Sequence, residues 1–166
     1  YMQIEYYTLI AMACMYGGML GLTAINNQLA NMSAKGKRVS VSPNKKGILV
    51  LSSALGSYLV SLVGLAILLI FLNFSLNVEF GSQWLYIIIL SLVGDLAGIS
   101  MGIFIASVFR VSEQAKTGIN IAISMFFSVL SGMMCVTLKY VIDNNIPIVN
   151  LINPNNLITD GFYALY

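Results

Sequence analysis

The chain has 166 residues, of which 58% are apolar and only 8% are Asp, Glu, Lys or Arg, with a formal net charge of +2. Soluble globular proteins carry roughly 25% charged residues, and a chain with so few lacks the polar surface to dissolve as a compact monomer. The composition also excludes a disordered chain, which needs low hydrophobicity and high charge. It gives no general basic footprint for nucleic acid either. An integral membrane protein remains.

A helix needs about 20 mostly apolar residues to cross the hydrocarbon core. The first such run, Tyr6 to Leu29, carries no charge. It contains Cys14, read as a small buried hydrophobe like Cys135 further on, and the small residues Gly17 and Gly21. A polar, basic connection follows, with Lys35, Lys37, Arg38, Lys45 and Lys46. Ser42-Pro43 in its middle predicts a helix start, with Ser as cap and Pro in the first turn.

The second uncharged run, Gly47 to Val78, carries Ser53, Ser57 and Ser61 at four-residue spacing. Their hydroxyls are placed to bond across to a neighbour or back to their own helix. The third run, Phe80 to Phe109, has Gly94, Gly98, Gly102 and Ala106 at the same spacing and a single charge, Asp95. Small residues on one face let two helices approach closely in lipid. That face serves either packing within one bundle or a seam between two copies. A carboxylate facing lipid costs on the order of 2.5 kcal/mol or more, so Asp95 must face protein or water, or be neutral. It is either a functional group in a cavity wall or a carboxyl hydrogen-bonded to Ser91 or a neighbouring helix.

After the short charged turn Arg110 to Lys116, a fourth uncharged run extends from Thr117 to Leu138. Beyond Lys139 the polar and turn residues Asp143, Asn144, Asn145, Pro147, Asn150, Asn153, Pro154, Asn155, Asn156 and Asp160 interrupt an otherwise apolar stretch. This predicts short helical pieces at an interface. The runs are apolar all round, unlike surface helices, and they lack the alternation of barrel strands. The expected architecture is therefore an all-α polytopic membrane helix bundle. It has four spanning helices, at about 6–29, 47–73, 83–109 and 117–140, connected by loops 30–46 and 110–116, plus a re-entrant or interfacial helical tail, 143–166.

Loops 30–46 and 110–116 fall on one side and hold every Lys and Arg except Lys139. The other side holds Glu5, Glu79, Asp143 and Asp160. Lys and Arg in short loops mark the cytoplasmic face. The reading is a multi-pass protein of the cell membrane, with cytoplasmic basic loops and both ends external. The basic loop is suited either to hold topology against anionic lipid or to dock a cytoplasmic partner.

Histidine is absent, which removes His-dependent triads and His metal ligands. No phosphate-binding GxxxxGK[ST] occurs. No catalytic, cofactor or metal site is expected.

The order of these parts resembles the membrane permease of type-2 ATP-binding cassette (ABC) transporters, exporter class. The resemblance rests on Arg38 and Ser42-Pro43 in the basic loop, on Leu130-Ser131-Gly132 closing the fourth span, and on the series Pro147, Asn153-Pro154 and Asp160-Gly161-Phe162-Tyr163-Ala164-Leu165. Where the family often has a Glu-Arg pair, this chain has Lys37-Arg38; where it often has Gly-Lys, the chain has Ser52-Ser53. The four spans are similar to the second to fifth family helices; on that reading the chain is a fragment, with the first helix and most of the sixth outside it.

The resemblance implies a translocation path enclosed with a second permease copy, identical or not. It implies a separate ABC ATPase subunit that binds ATP and docks at Lys37, Arg38, Ser42 and Pro43. It also implies an external gate built from Ser131, Gly132, Pro147, Asn153, Pro154 and Asp160, with Asp160 near an aromatic-rich helix start. The alternatives are a secondary transporter or ion channel using Asp95, and a non-transporting membrane scaffold or immunity protein.

Overall fold

The computed structural model of the chain describes residues 2–29, 33–43, 45–75, 84–132 and 136–164. Cys135, the connection 76–83 with Asn77 and Glu79, and the end at 165–166 lie outside them. The elements in order are α1 (Met2–Asn26), α2 (Ala34–Val41), α3 (Lys46–Ser75), α4 (Trp84–Val108), α5 (Glu113–Leu130), α6 (Val136–Asn145), α7 (Pro147–Ile152) and α8 (Pro154–Ala164). Among the described residues three stretches are long and apolar enough to cross a membrane: Tyr6–Asn26, Lys46–Phe74 and Trp84–Val108.

The bundle is organised around α1, which packs against α3, α4, α5 and α8 and most extensively against α4. Small residues make that contact. A Cβ at Gly98 would overlap the carbonyl of Cys14, and one at Gly102 would overlap the carbonyl of Gly18. In return a Cβ at Gly18 would lie 2.7 Å from the Gly98 carbonyl oxygen, and one at Gly21 2.6 Å from that of Ile99. The two backbones therefore touch, which is how helices gain dispersion energy where lipid supplies no hydrophobic drive. Ala106 continues the seam into a cluster with Leu22, Ile25 and Ile105. Gly94 begins it, facing Cys14 and Ile158. The small-residue face of the third span is thus spent inside one chain.

Helix α3 is attached differently, through hydroxyls and amides. Ser57 Oγ donates to the Leu20 carbonyl (3.1 Å), and Tyr58 OH donates to the Leu92 carbonyl (3.1 Å). Gln28 Nε2 donates to the Leu49 carbonyl (2.9 Å) and to Ser53 Oγ. Leu65 and Leu72 of α3 are also buried, in a cluster with Tyr7 and Ile10, while its opposite face points outward: Leu59, Val63 and Ile67 are each more than 60% exposed. Such a surface is stable only in a hydrocarbon solvent.

Two boundaries differ from expectation. Ser42-Pro43 ends a helix instead of starting one. Ser42 is the C-cap of α2, extended at φ −71°, ψ 143°, the conformation that a following proline imposes. The helix start belongs to Ser33, whose Oγ accepts from the Gly36 N–H (2.9 Å). The fourth run also divides. Helix α5 stops at Leu130, Gly132 takes a positive φ of 96°, and α6 begins at Val136. A left-handed residue cannot continue a right-handed helix, and only glycine adopts it at low cost.

The tail folds back against α1 and α5. In the amide orientation that satisfies both its atoms, Asn155, at the start of α8, donates to the Ala11 carbonyl (3.1 Å) and accepts from Ser128 Oγ (2.6 Å). Farther along α8, Phe162 stacks on Tyr7 with ring centroids 5.4 Å apart. Since Ala11 lies one turn deeper in α1 than Tyr7, α8 starts inside the bundle and rises toward its end. Asp160 accordingly sits in the second half of α8, not at a helix start.

Gly98→Leu is expected to lower stability by at least ~1–3 kcal/mol, the usual cost of overpacking, because the clash is with backbone. Gly64→Leu, where a Cβ meets nothing within 4 Å, serves as the control and should leave stability undiminished or raise it by up to ~1 kcal/mol, since glycine is a poor helix former. Thermal unfolding of both variants in detergent measures the difference.

Candidate functional site

Three polar constellations stand out in this apolar chain. The first is Asp95, which is fully buried. Ser61 Oγ on α3 donates to its Oδ1 at 2.5 Å. Gly17 on α1 makes room for the carboxyl, since a Cβ there would collide with Asp95 Oδ1 and lie 2.8 Å from Ser61 Oγ. Asp95 thereby joins α1, α3 and α4 at one point. Its Oδ2 has no hydrogen-bond partner among the described residues. The partner is Ser61, not Ser91. The Ser91 hydroxyl is itself buried without a partner among those residues, and its carbonyl accepts from the Cys14 thiol (3.8 Å).

The second constellation runs along α5. The buried residues of this helix are Lys116, Asn120, Ser124 and Ser128, all polar and four apart, while Met125 and Phe126 are exposed. The helix is polar inward and apolar outward, as a lipid solvent requires. Lys116 is 1% exposed. Its Nζ donates to the Ala106 carbonyl (2.8 Å) and to Asn26 Oδ1 (3.2 Å). Ala106 lies in the last turn of α4, where carbonyls lack helical partners and the dipole favours a cation. Lys116 therefore closes the end of α4 and ties it to α1 and α5. Asn120 packs against Gly18. Neither its amide atoms nor the Ser124 hydroxyl has a partner among the described residues.

The third lies at the opposite end. Asn153 Nδ2 donates to the Phe127 carbonyl (2.9 Å), which also accepts from the Ser131 N–H (3.0 Å) where α5 stops. Lys139 forms an ion pair with Asp160 and lies 4.8 Å from the Tyr163 ring centroid. Asn156 Nδ2 donates to Asp160 Oδ2 (2.9 Å), and Asn150 donates to Asp143.

Among the residues singled out in the sequence, Gly94, Asp95, Gly98, Gly102 and Ala106 come together on the α1–α4 seam. Ser131 and Gly132 follow the end of α5, where Asn153 reaches the Phe127 carbonyl and Pro154 then opens α8, whereas Asp160 pairs with Lys139 on α6 and Pro147 opens α7. Lys37, Arg38 and Pro43 are exposed on and after α2, which is held to α1 by Ser33 Oγ donating to the Asn27 carbonyl (3.1 Å). Sequence reasoning missed the inward stripe of α5, Asn26 and the tip residue Asn155. The i, i+4 spacing of Lys116, Asn120, Ser124 and Ser128 was the signal available.

The arrangement provides a closely packed helix pair, a polar inner lane along α5, a helical tail folded against α1 and α5, and an exposed basic helix. Residues 1–166 match the family described as "ABC-2 family transporter protein". No curated protein and no solved structure matches the chain significantly.

Ser61→Ala leaves a buried carboxyl without its donor and is expected to cost ~1–3 kcal/mol. Asp95→Leu should abolish most of that cost, so that the double variant is clearly non-additive. Thermal unfolding of the four chains in detergent reads the coupling; additive losses would contradict a direct Ser61–Asp95 bond.

Proposed function

Because the chain belongs to the ABC-2 family of transporter proteins, we propose that it is the permease subunit of an ATP-driven exporter, working with a separate ATPase subunit and a second permease copy. The family is the membrane component of ABC transporters, and ATP hydrolysis is assigned to the partner. The observation that carries the coupling is α2. It is a short capped helix with Lys35, Lys37 and Arg38 exposed, pinned to the end of α1 through Ser33. A push on α2 is delivered to α1, and from α1 to α4 through their backbone contact. The nucleotide state biases the permease only if the ATPase binds its two states differently. Docking through α2 and its flanking residues Ser42 and Pro43 supplies that difference.

The two basic loops face the cytoplasm in this reading, by the distribution of Lys and Arg. The re-entrant segment of α6–α8 then faces outward, and its contacts to α5 through Asn153 and Asn155 control the outer mouth. Two copies enclose the path between them.

Purification of the native complex should recover an ATPase. Lys37→Glu with Arg38→Glu should remove at least about 90% of it, a tenfold loss corresponding to 1.4 kcal/mol, while the permease stays folded. Recovery of undiminished ATPase would overturn the docking assignment. Cysteines placed at Ser40 and Asn144 should react with an impermeant maleimide from the cytoplasm and from outside, respectively. The opposite pattern would reverse the orientation.

A further inference from the structure

A cavity of about 380 Å³ opens between α1 and α3, lined by Tyr16, Gly17, Ser61, Gly64, Leu65 and Leu68 among others. Its size is within the range of small-molecule sites, which are mostly apolar with a few placed polar groups. Leu65 and Leu68 give it apolar walls. Its mouth faces the lipid: Val60 beside it is 61% exposed, and a Cβ at Gly64 meets nothing within 4 Å. Its polar wall is Gly17 and Ser61, the two residues that touch the carboxyl of Asp95.

Asp95 is the only acidic residue in the three spans. Among the described residues no Lys or Arg forms an ion pair with it, and one of its oxygens is unpartnered. One oxygen of this buried carboxyl lacks a donor beyond the one Ser61 gives the other, and a positive donor nearby restores the most. The occupant that complements apolar walls, an aromatic ring at Tyr16 and an uncompensated acid behind a serine hydroxyl is an amphipathic cation. A plain acyl chain would fill the walls and leave Asp95 as it is.

We propose that the cavity between α1 and α3 binds a lipophilic organic cation, an ammonium group on an apolar body, entering from the lipid and resting against Ser61 with Asp95 as its counter-charge. As a statement about exported substrate this rests on the export reading. As a statement about binding it stands on Gly17, Ser61 and Asp95 alone. The carboxyl then has two duties: it joins three helices, and it selects charge.

The test uses the purified permease in phosphatidylcholine nanodiscs without ATPase or nucleotide, so that its failure is separate from failure of the export reading. The probes are a dansyl-alkylamine, cationic at neutral pH, and its N-acetylated neutral counterpart, followed by fluorescence titration. The amine should bind at least about tenfold more tightly than the neutral probe. Asp95→Asn should erase that preference, and Gly64→Leu, which fills the mouth, should weaken binding of the amine by a similar factor. Equal binding of the two probes, or no saturable binding of either, would show that lipid or a second copy occupies the cavity and would overturn the proposal. A preference that survives Asp95→Asn would also overturn it. Should Asp95→Asn not fold, undiminished amine binding by Gly64→Leu has the same force.

Discussion

The structure depends on the contact of two backbones. In lipid, apolar side chains gain nothing by leaving the solvent for one another, so helices associate where their backbones come close enough for dense dispersion contact. Gly18 against Gly98, and Gly102 against the Gly18 carbonyl, give α1 and α4 that approach. The other elements are added to this pair: α3 by serine and tyrosine hydroxyls, α5 by a buried lysine, and α8 by Asn155 and the Tyr7–Phe162 stack.

A consequence of that pairing is the placement of charge. Gly17 leaves the space that the Asp95 carboxyl and Ser61 hydroxyl occupy. Gly18 leaves the space taken by Asn120. The open carbonyl end of α4 accepts the Lys116 ammonium. Each polar group is thus turned inward against a position where a side chain is missing or a helix has ended. Large apolar side chains such as Leu59, Ile67 and Phe104 cover much of the outer surface, while others such as Leu22, Ile105 and Phe162 are buried. Along α5 the buried face is more polar than the exposed one, the reverse of a helix on a soluble domain. The atoms of Asn120, Ser124 and Asp95 that have no partner among the described residues are costly in one fixed packing.

Much of the fold was legible because lipid imposes simple rules. Apolar runs with at most one charge, long enough to cross the core, give α1, α3 and α4. Four-residue spacing of Gly94, Gly98, Gly102 and Ala106 marks the close face, although spacing alone does not say whether the partner is the same chain. What was not legible depends on local competition. Ser42-Pro43 fits both a helix start and a helix end; the outcome turned on Ser33, which caps α2 first. Lys116 reads as a loop cation because its value lies in carbonyls ten residues upstream in another helix. Leu130-Ser131-Gly132 is apolar enough to continue a span, yet Gly132 takes a positive φ after the end of α5. The family resemblance puts an aromatic-rich helix start near Asp160. In the structure Pro154 starts α8, and Asn155 and Asn156 are buried within it.

The central claim is that α1 and α4 of a single chain are in backbone contact. Residue 94 offers a direct measurement, because a Cβ there would lie 3.3 Å from the Cys14 sulfur, within reach of a disulfide. Gly94→Cys in a Cys135→Ser background, oxidised mildly in native membranes, is expected to form a bridge to Cys14 within one chain, read as a mobility shift of the monomer that reductant reverses. A bridge between two chains, or no bridge while both thiols remain reactive, would contradict the account.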